Sequence, residues 1–166
     1  MLAGDEKFRL TYDMIEKIDD IDRRLLIALQ RDATLSLDAL AEQLSVSTNT
    51  CWRRVKRLED AGIILRRVSI VDPAALGFNQ TVFISVKTRD HSQDWLDRFA
   101  KTVSRIPDVV EFYRMAGDVD YLLKVLCRDV SDYDRIYKTL IRETEFADIS
   151  ATFAMECIKN TTELPL

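Results

Sequence analysis

Residues 35–64 read LSLDALAEQLSVSTNTCWRRVKRLEDAGII. Ser36 can cap a short helix in which Leu37, Leu40, Ala41 and Leu44 are apolar at helical spacing. Ser45-Val46-Ser47-Thr48 is a turn ending in good N-cap residues, so a second helix is predicted over about 48–61. Cys51, Val55 and Leu58 form its apolar stripe at i, i+4 and i+7. Gly62 suits the residue after the helix end, with Ile63 able to pack back. Upstream, Ile18, Ile21, Leu25, Ala28 and Leu29 fall at helical spacing, which predicts a helix over roughly 19–31. Asp19, Asp20 and Asp22 sit at its start, where the helix dipole favours anions. Three short helices, the last two joined by a tight turn, make a helix-turn-helix pattern. In such units the last helix inserts its N-terminal half into the DNA major groove.

The core stripe decides which side chains face out. With Cys51, Val55 and Leu58 inward, Asn49, Thr50, Arg53, Arg54 and Arg57 are left available to DNA. Asn and Arg read base edges with paired hydrogen bonds, whereas Ser47, Thr48 and Lys56 are of the types that hold phosphates. Trp52 is expected to pack on the first helix or the following strand. A three-helix packing module without DNA fits the same pattern. The coincidence of this helix with the chain's one basic cluster favours DNA.

That cluster stands out against an acidic chain. The 166 residues carry a formal net charge of −4. Residues 1–22 hold seven acids and three bases, 23–72 hold nine bases and six acids, and 73–166 hold twelve bases and fifteen acids. Six of the nine central bases are Arg53, Arg54, Lys56, Arg57, Arg66 and Arg67. A local basic patch can be steered to phosphate, although a charge run is also what a solvated helix face looks like. The chain is 47% hydrophobic and 31% charged, which is normal for a soluble globular protein. No apolar run approaches the ~18–20 residues of a membrane span, and the mixed-charge start lacks a signal-peptide core. Three widely spaced cysteines (Cys51, Cys127, Cys157) fit neither a disulfide framework nor a CxxC site. A reducing cytosol is the simplest setting.

Beyond the helices, residues 63–72 (IILRRVSIVD) are β-rich and stop at Pro73, which reads as a connecting strand. A second domain is expected from about Asn79. Strands are predicted over 81–88, 109–116, 119–127 and 149–158, and helices over 92–105 and 131–143. Gly117-Asp118 is a hairpin-turn signal between the second and third strands. The order β-α-β-β-α-β is the ferredoxin-like arrangement, one antiparallel sheet with helices on one face. Val82, Ile84, Tyr113, Met115 and Leu123 are many apolar groups for such a domain to hide. A two-faced apolar sheet predicts a homo-oligomer, most simply a symmetric dimer. Cys127 and Cys157 both fall on apolar strands, where plain packing is expected.

At this point a family resemblance becomes visible. LSLDALAEQLSVSTNTCWRRVKRLEDAGII resembles the helix-turn-helix of the Lrp/AsnC (feast/famine) transcription regulators, and IDDIDRRLLIALQRDA is similar to that family's first helix. RMAGDVDYLLKV resembles its Gly-Asp-X-Asp-Tyr turn, and SATFAMECIK its last strand. The similarity spans residues 18–160, and the order and spacing of the motifs make it specific. It implies an α+β chain: an N-terminal winged helix-turn-helix domain joined to a C-terminal βαββαβ ferredoxin-like effector (RAM) domain. The divisions are then a mobile extension (1–17), the DNA-binding domain (18–62), a connecting strand and linker (63–78), the sensing and oligomerisation domain (79–160) and a tail (161–166).

The resemblance also implies partners and sites. Double-stranded DNA would be contacted by Ser47, Thr48, Asn49, Thr50, Arg53, Arg54, Lys56 and Arg57. A small effector, typically an amino acid, would be held between dimers of a tetramer or octamer. Met115, Gly117, Asp120 and Tyr121 would contribute, with Val130, Thr152 and Phe153. The setting would be cytoplasmic, with no membrane, metal or cofactor. Two departures stand out: Asn49-Thr50 occupies a place where members often have Thr-Pro, and residues 1–17 have no counterpart. The ending resembles a subgroup that includes regulators responding to cysteine.

The residues themselves support an amino-acid site modestly. A zwitterion needs an acceptor for its ammonium, which Asp120 could be, and donors for its carboxylate, which N–H groups at the Gly117 turn could be. Asp118 and Asp120 also suit ordinary hairpin residues, solvated or paired with Lys124 or Arg114. An enzyme is disfavoured: His91 is the sole histidine, in a polar connection, and no nucleophile signature or Gly-rich phosphate loop occurs. RNA binding would need stacked aromatics on the central strands, which residues 121–127 (YLLKVLC) lack.

Overall fold

The computed structural model describes residues 18–166, so the extension read over residues 1–17 lies outside the described residues. The chain divides into two compact units: residues up to Ser69 together with Lys159–Leu166, and Ile70–Ile158. The tail expected as a separate segment thus groups with the helical unit. Leu164 N–H donates to Gln30 Oε1 (2.6 Å), and Arg31 pairs with Glu163 (3.2 Å).

The first unit holds α1 (Asp20–Arg31), α2 (Leu37–Leu44) and α3 (Thr48–Asp60). Each starts on a side chain that satisfies an orphan N–H: Asp19 on Asp22, Ser36 on Ala39, Ser47 on Thr50. For α1 the cap is reciprocal, because Asp22 also accepts from Asp19 N–H. Ser45 turns the chain between α2 and α3 in the left-handed region (φ 57°). Helix α3 ends as the Gly62 signal requires: Gly62 has φ 69°, its N–H reaches Glu59 O, and Ile63 N–H reaches Leu58 O. Leu25, Leu26, Ala28, Leu40, Ala41, Leu44, Cys51, Val55 and Leu58 close one core.

The segment over 63–72 departs from expectation. Among the described residues it joins no strand, and Leu65, Val68, Ile70 and Val71 are exposed. Its β-rich composition favours an extended chain, but a ladder needs a neighbouring edge, and the described residues offer none there.

The second unit holds β1 (Gln80–Lys87), α4 (Gln93–Ser104), β2 (Val109–Arg114), β3 (Tyr121–Cys127), α5 (Val130–Glu143) and β4 (Asp148–Phe153). The sheet is antiparallel with order β2-β3-β1-β4, the ferredoxin-like topology the sequence predicts. Alternation sends Val82, Ile84, Val86, Leu123 and Val125 to the helix-covered face, where they meet Phe99, Val103, Ile136 and Leu140. An aromatic cluster of Trp95, Phe99, Phe112, Tyr121 and Phe146 fills one end.

Three strand expectations change. Val82, Ile84 and Leu123 are fully buried within the chain, so they do not belong to an uncovered face. The opposite face instead presents Phe83, Leu122 and Leu126 beside Ser85 and Lys124, with Tyr113 at the edge. The β2–β3 connection is no two-residue hairpin: residues 115–120 bridge it, closed by Met115 N–H on Asp120 O (2.8 Å). Strand β4 stops at Phe153, where β1 runs out of partners, leaving Met155, Cys157 and Ile158 exposed. Cys157 is therefore not a packed core residue, whereas Cys127 is buried on β3.

Candidate nucleic-acid interface and effector site

Helix α3 turns Cys51, Val55 and Leu58 into the core, which forces Asn49, Arg53 and Lys56 onto its outer face. Asn49 and Arg53 are exposed and make no side-chain hydrogen bond or ion pair among the described residues. Lys56 leans on Asp60 (2.7 Å), an exposed pairing that raises its pKa and is readily exchanged for phosphate. The first turn is partly committed to structure. Ser47 caps the helix and bonds Thr50 Oγ1 (2.9 Å), while Thr48 Oγ1 donates to Asp38 (2.7 Å), tying α3 to α2.

Arg54 is not presented as the sequence reading expected. Its Nη1 donates to both Asp19 oxygens (2.8 and 2.7 Å) and to Asp22 Oδ1 (2.8 Å), and only 21% of the side chain is exposed. Asp22 is completely buried and also receives Arg57. The Asp22 backbone N–H and the Arg54 guanidinium together hold the Asp19 carboxyl below its ordinary pKa. This network pins α3 to the start of α1. The signal was present in Asp19 and Asp22, which dipole complementarity alone did not exhaust. Trp52 also departs from expectation: it is 52% exposed, in a shallow groove with Leu37, Val55 and Arg67, and not packed on α1.

The candidate effector residues fall in two groups. Met115 and Gly117 are exposed on the β2–β3 connection, and Gly117 has φ 139°, a conformation that favours glycine. Asp120 is half-buried and already engaged. Its Oδ2 accepts from Thr88 N–H (2.8 Å), and its own N–H donates to Val86 O (3.0 Å). Asp118 pairs with Lys87 (3.0 Å), raising the lysine pKa, and Lys124 pairs with Glu111, so neither hairpin pairing expected from the sequence forms. Tyr121 is buried in the aromatic cluster, 5.5 Å from Trp95 and 5.7 Å from Phe99 between ring centres, and is no surface contact.

Val130 is exposed at the start of α5, beyond the far end of β3. Thr152 is exposed on β4 opposite Phe83, and Phe153 packs edge-on against Tyr133 (5.2 Å). Seven residues of β3 separate the Gly117–Asp120 loop from the Val130 end, about 20 Å at ~3.3 Å per residue. Within one chain Gly117 and Val130 cannot meet around one small molecule, whereas Thr152, opposite Phe83 and so level with Lys124, lies between the two ends.

A sequence-family model for a winged helix-turn-helix DNA-binding domain matches residues 18–64, and a model for the Lrp/AsnC ligand binding domain matches residues 81–164. The chain is 48% identical over 153 residues to the glutamate uptake regulatory protein of Zymomonas mobilis, covering 92% of this chain and 93% of that one. Among solved structures, an AsnC family transcriptional regulator from Agrobacterium tumefaciens superposes with a TM-score of 0.85 at 50% identity, covering 89% of this chain and 96% of the other. A transcriptional regulator of Neisseria meningitidis in complex with L-methionine superposes with a TM-score of 0.83 at 31% identity, with 89% and 96% coverage.

Proposed function

The chain belongs to the Lrp/AsnC family of DNA-binding transcriptional regulators, and from that membership we propose how its own residues divide the work. Helix α3 enters the major groove. Asn49 and Arg53 read base edges there, and Ser47, Thr48, Thr50 and Lys56 hold the flanking phosphates. Arg54 sets the tilt of α3 through Asp19 and Asp22, and Arg57 shares that task while its exposed half lies toward DNA. The exposed, unbonded Asn49 and Arg53 on the outer face of α3 carry this reading.

A small effector, an amino acid, binds between chains. One chain supplies Met115, Gly117 and Asp120; another supplies Val130, Thr152 and Phe153. The ~20 Å between the Gly117–Asp120 loop and Val130 supports a shared site, and the L-methionine bound by the Neisseria regulator supports the ligand class. Self-association is favoured by the exposed Leu65, Val68, Ile70 and Val71, which sit on a segment that joins no strand among the described residues. A dimer, and a tetramer or octamer built on it, follows. The protein acts in the cytoplasm as a regulator and not as an enzyme. Binding at a shared site biases assembly and so the spacing of the DNA-binding heads, and DNA of matching geometry tightens effector binding by linkage.

Arg53→Ala tests the DNA half. Affinity for a specific site should fall about tenfold or more, the loss of one bidentate base contact. Sedimentation, and its response to methionine, cysteine and glutamate, should be unchanged. Undiminished affinity in Arg53→Ala would overturn the assignment of α3.

A further inference from the structure

The second unit carries a cleft that neither half of the proposed function uses. It encloses about 540 Å³ between the start of α4 and the chain that follows α5. That volume suits a small ligand. Its floor is aromatic: Trp95 is almost wholly buried, with its indole N–H donating to Glu145 O (3.2 Å), and Phe146 stands edge-on to it. Two arginines stand on its rim. Arg89 and Arg98 are exposed, and neither makes a side-chain hydrogen bond or ion pair among the described residues.

The second observation is a buried one. Thr144 lines the same cleft with 9% of its surface exposed. Its hydroxyl is the one buried side-chain polar atom without a hydrogen-bond partner among the described residues. Buried polar groups in folded proteins are satisfied with few exceptions, and an exception in a cleft points to a missing partner. The acids of the cleft supply the opposite charge. Asp90 is fixed by Ser92 N–H on its Oδ1 (2.8 Å) and by its own N–H on Thr88 Oγ1 (3.1 Å), and Glu143 and Glu145 flank Thr144.

We propose that this cleft is a second small-molecule site, contained within one chain, that takes a zwitterionic amino acid. Arg89 and Arg98 bind the carboxylate, and the Thr144 hydroxyl, closed off in the empty cleft, donates to one of its oxygens once the wall around it shifts. The ammonium lies toward Asp90 and Glu145, and an apolar side chain lies on Trp95 and Phe146. A lone anion is the poorer fit, because Asp90 and Glu145 line the same cleft; Glu143 is already paired with Arg105 and Arg142. The site is also wired to the β2–β3 connection. Thr88, on its rim, donates its N–H to Asp120, so occupancy of the cleft bears on the loop that carries Gly117. This inference holds or fails independently of DNA binding and of the site between chains.

The chain has two tryptophans, so Trp52→Phe leaves Trp95 as the sole indole reporter at the cleft. Full-length Trp52→Phe protein is titrated with each of the twenty L-amino acids while Trp95 emission is followed, and equilibrium dialysis counts the molecules bound per chain. At least one amino acid should give a saturable change. Arg98→Gln should weaken it about tenfold or more, in line with the loss of a charge-assisted hydrogen bond. Thr144→Val should weaken it severalfold and Thr144→Ser should restore it, while the midpoint stays independent of protein concentration, as for a site within one chain. Thr144→Val removes an unsatisfied buried hydroxyl, so the empty variant should melt no lower than the parent, which separates lost binding from lost folding. No saturable change with any amino acid overturns the proposal. So does a change that survives both Arg98→Gln and Thr144→Val, and so does one whose midpoint depends on protein concentration, which would assign it to the site between chains.

Discussion

Arg53 and Arg54 are neighbours of identical chemistry, and replacing each by alanine should produce opposite defects. Arg54 contributes three short charge-assisted contacts, at 2.7–2.8 Å, to Asp19 and to the fully buried Asp22. Removing one partner of a buried ion pair costs about 3–5 kcal/mol. Here Arg57 stays on Asp22, and the half-exposed Asp19 can return to water. The expected loss is therefore smaller, about 2–3 kcal/mol. For a unit of this size each kcal/mol moves the midpoint by about 4–8 °C, so the helical unit of Arg54→Ala should melt about 10–20 °C earlier. Circular dichroism at 222 nm and the emission of Trp52, which lies in that unit, both follow the transition. Arg53→Ala, on an exposed and unpaired residue, should stay within about 0.5 kcal/mol of the parent and lose DNA affinity instead. Arg54→Lys should fall between, since an ammonium cannot span two carboxylates as a guanidinium does. If Arg54→Ala melts like the parent and loses DNA binding as Arg53→Ala does, Arg54 is a DNA contact and the strut is refuted.

Further outcomes follow from the same contacts. Asp19 has its folded pKa below the ordinary 3.8, held there by the Asp22 N–H and then by Arg54. A depressed carboxyl stabilises above its unfolded pKa and loses that contribution as pH falls through the folded value. The helical unit should therefore weaken below about pH 4, and acid titrations followed by circular dichroism should show a shallower limb in Arg54→Ala. Ser45 holds φ 57° with a β-carbon, so Ser45→Gly should stabilise the unit by about 0.5–1 kcal/mol in urea unfolding. Cys51 and Cys127 are buried, and burial raises both thiols, while Cys157 is exposed. A thiol reagent should titrate one fast group per native chain, and the Cys157→Ser variant should show none.

What could be read from the sequence is what periodicity and capping chemistry determine. Ser36, Ser47 and Gly62 mark helix ends by satisfying local backbone groups, and the Cys51, Val55, Leu58 stripe gives the buried face of α3. The alternation along β1 and β3 likewise predicts strands, though not which alternate set the helices cover. Long-range pairing was not legible. The stripe shows that Arg54 faces away from Val55, but not that Asp19, 35 residues earlier, waits there. The cleft is invisible for the same reason, since Arg89 and Arg98 lie some fifty residues before Thr144. Residues 63–72 show the converse limit: composition specifies an extended chain, but a strand also needs a partner edge. Tyr121, placed in the effector set by its motif, is claimed by the aromatic core, because its parity along β3 matches that of Leu123 and Val125.

The central claim is that α3 delivers sequence-specific DNA binding under the control of an amino acid. Fluorescence anisotropy with DNA from upstream of the protein's own gene, across a salt series and with and without a pool of amino acids, tests it most directly. The account predicts affinity above that for random DNA, a steep fall with salt from phosphate contacts, and a shift when the pool is added. Equal binding to both DNAs at every salt, followed by a genome-wide selection that enriches no site, would contradict it.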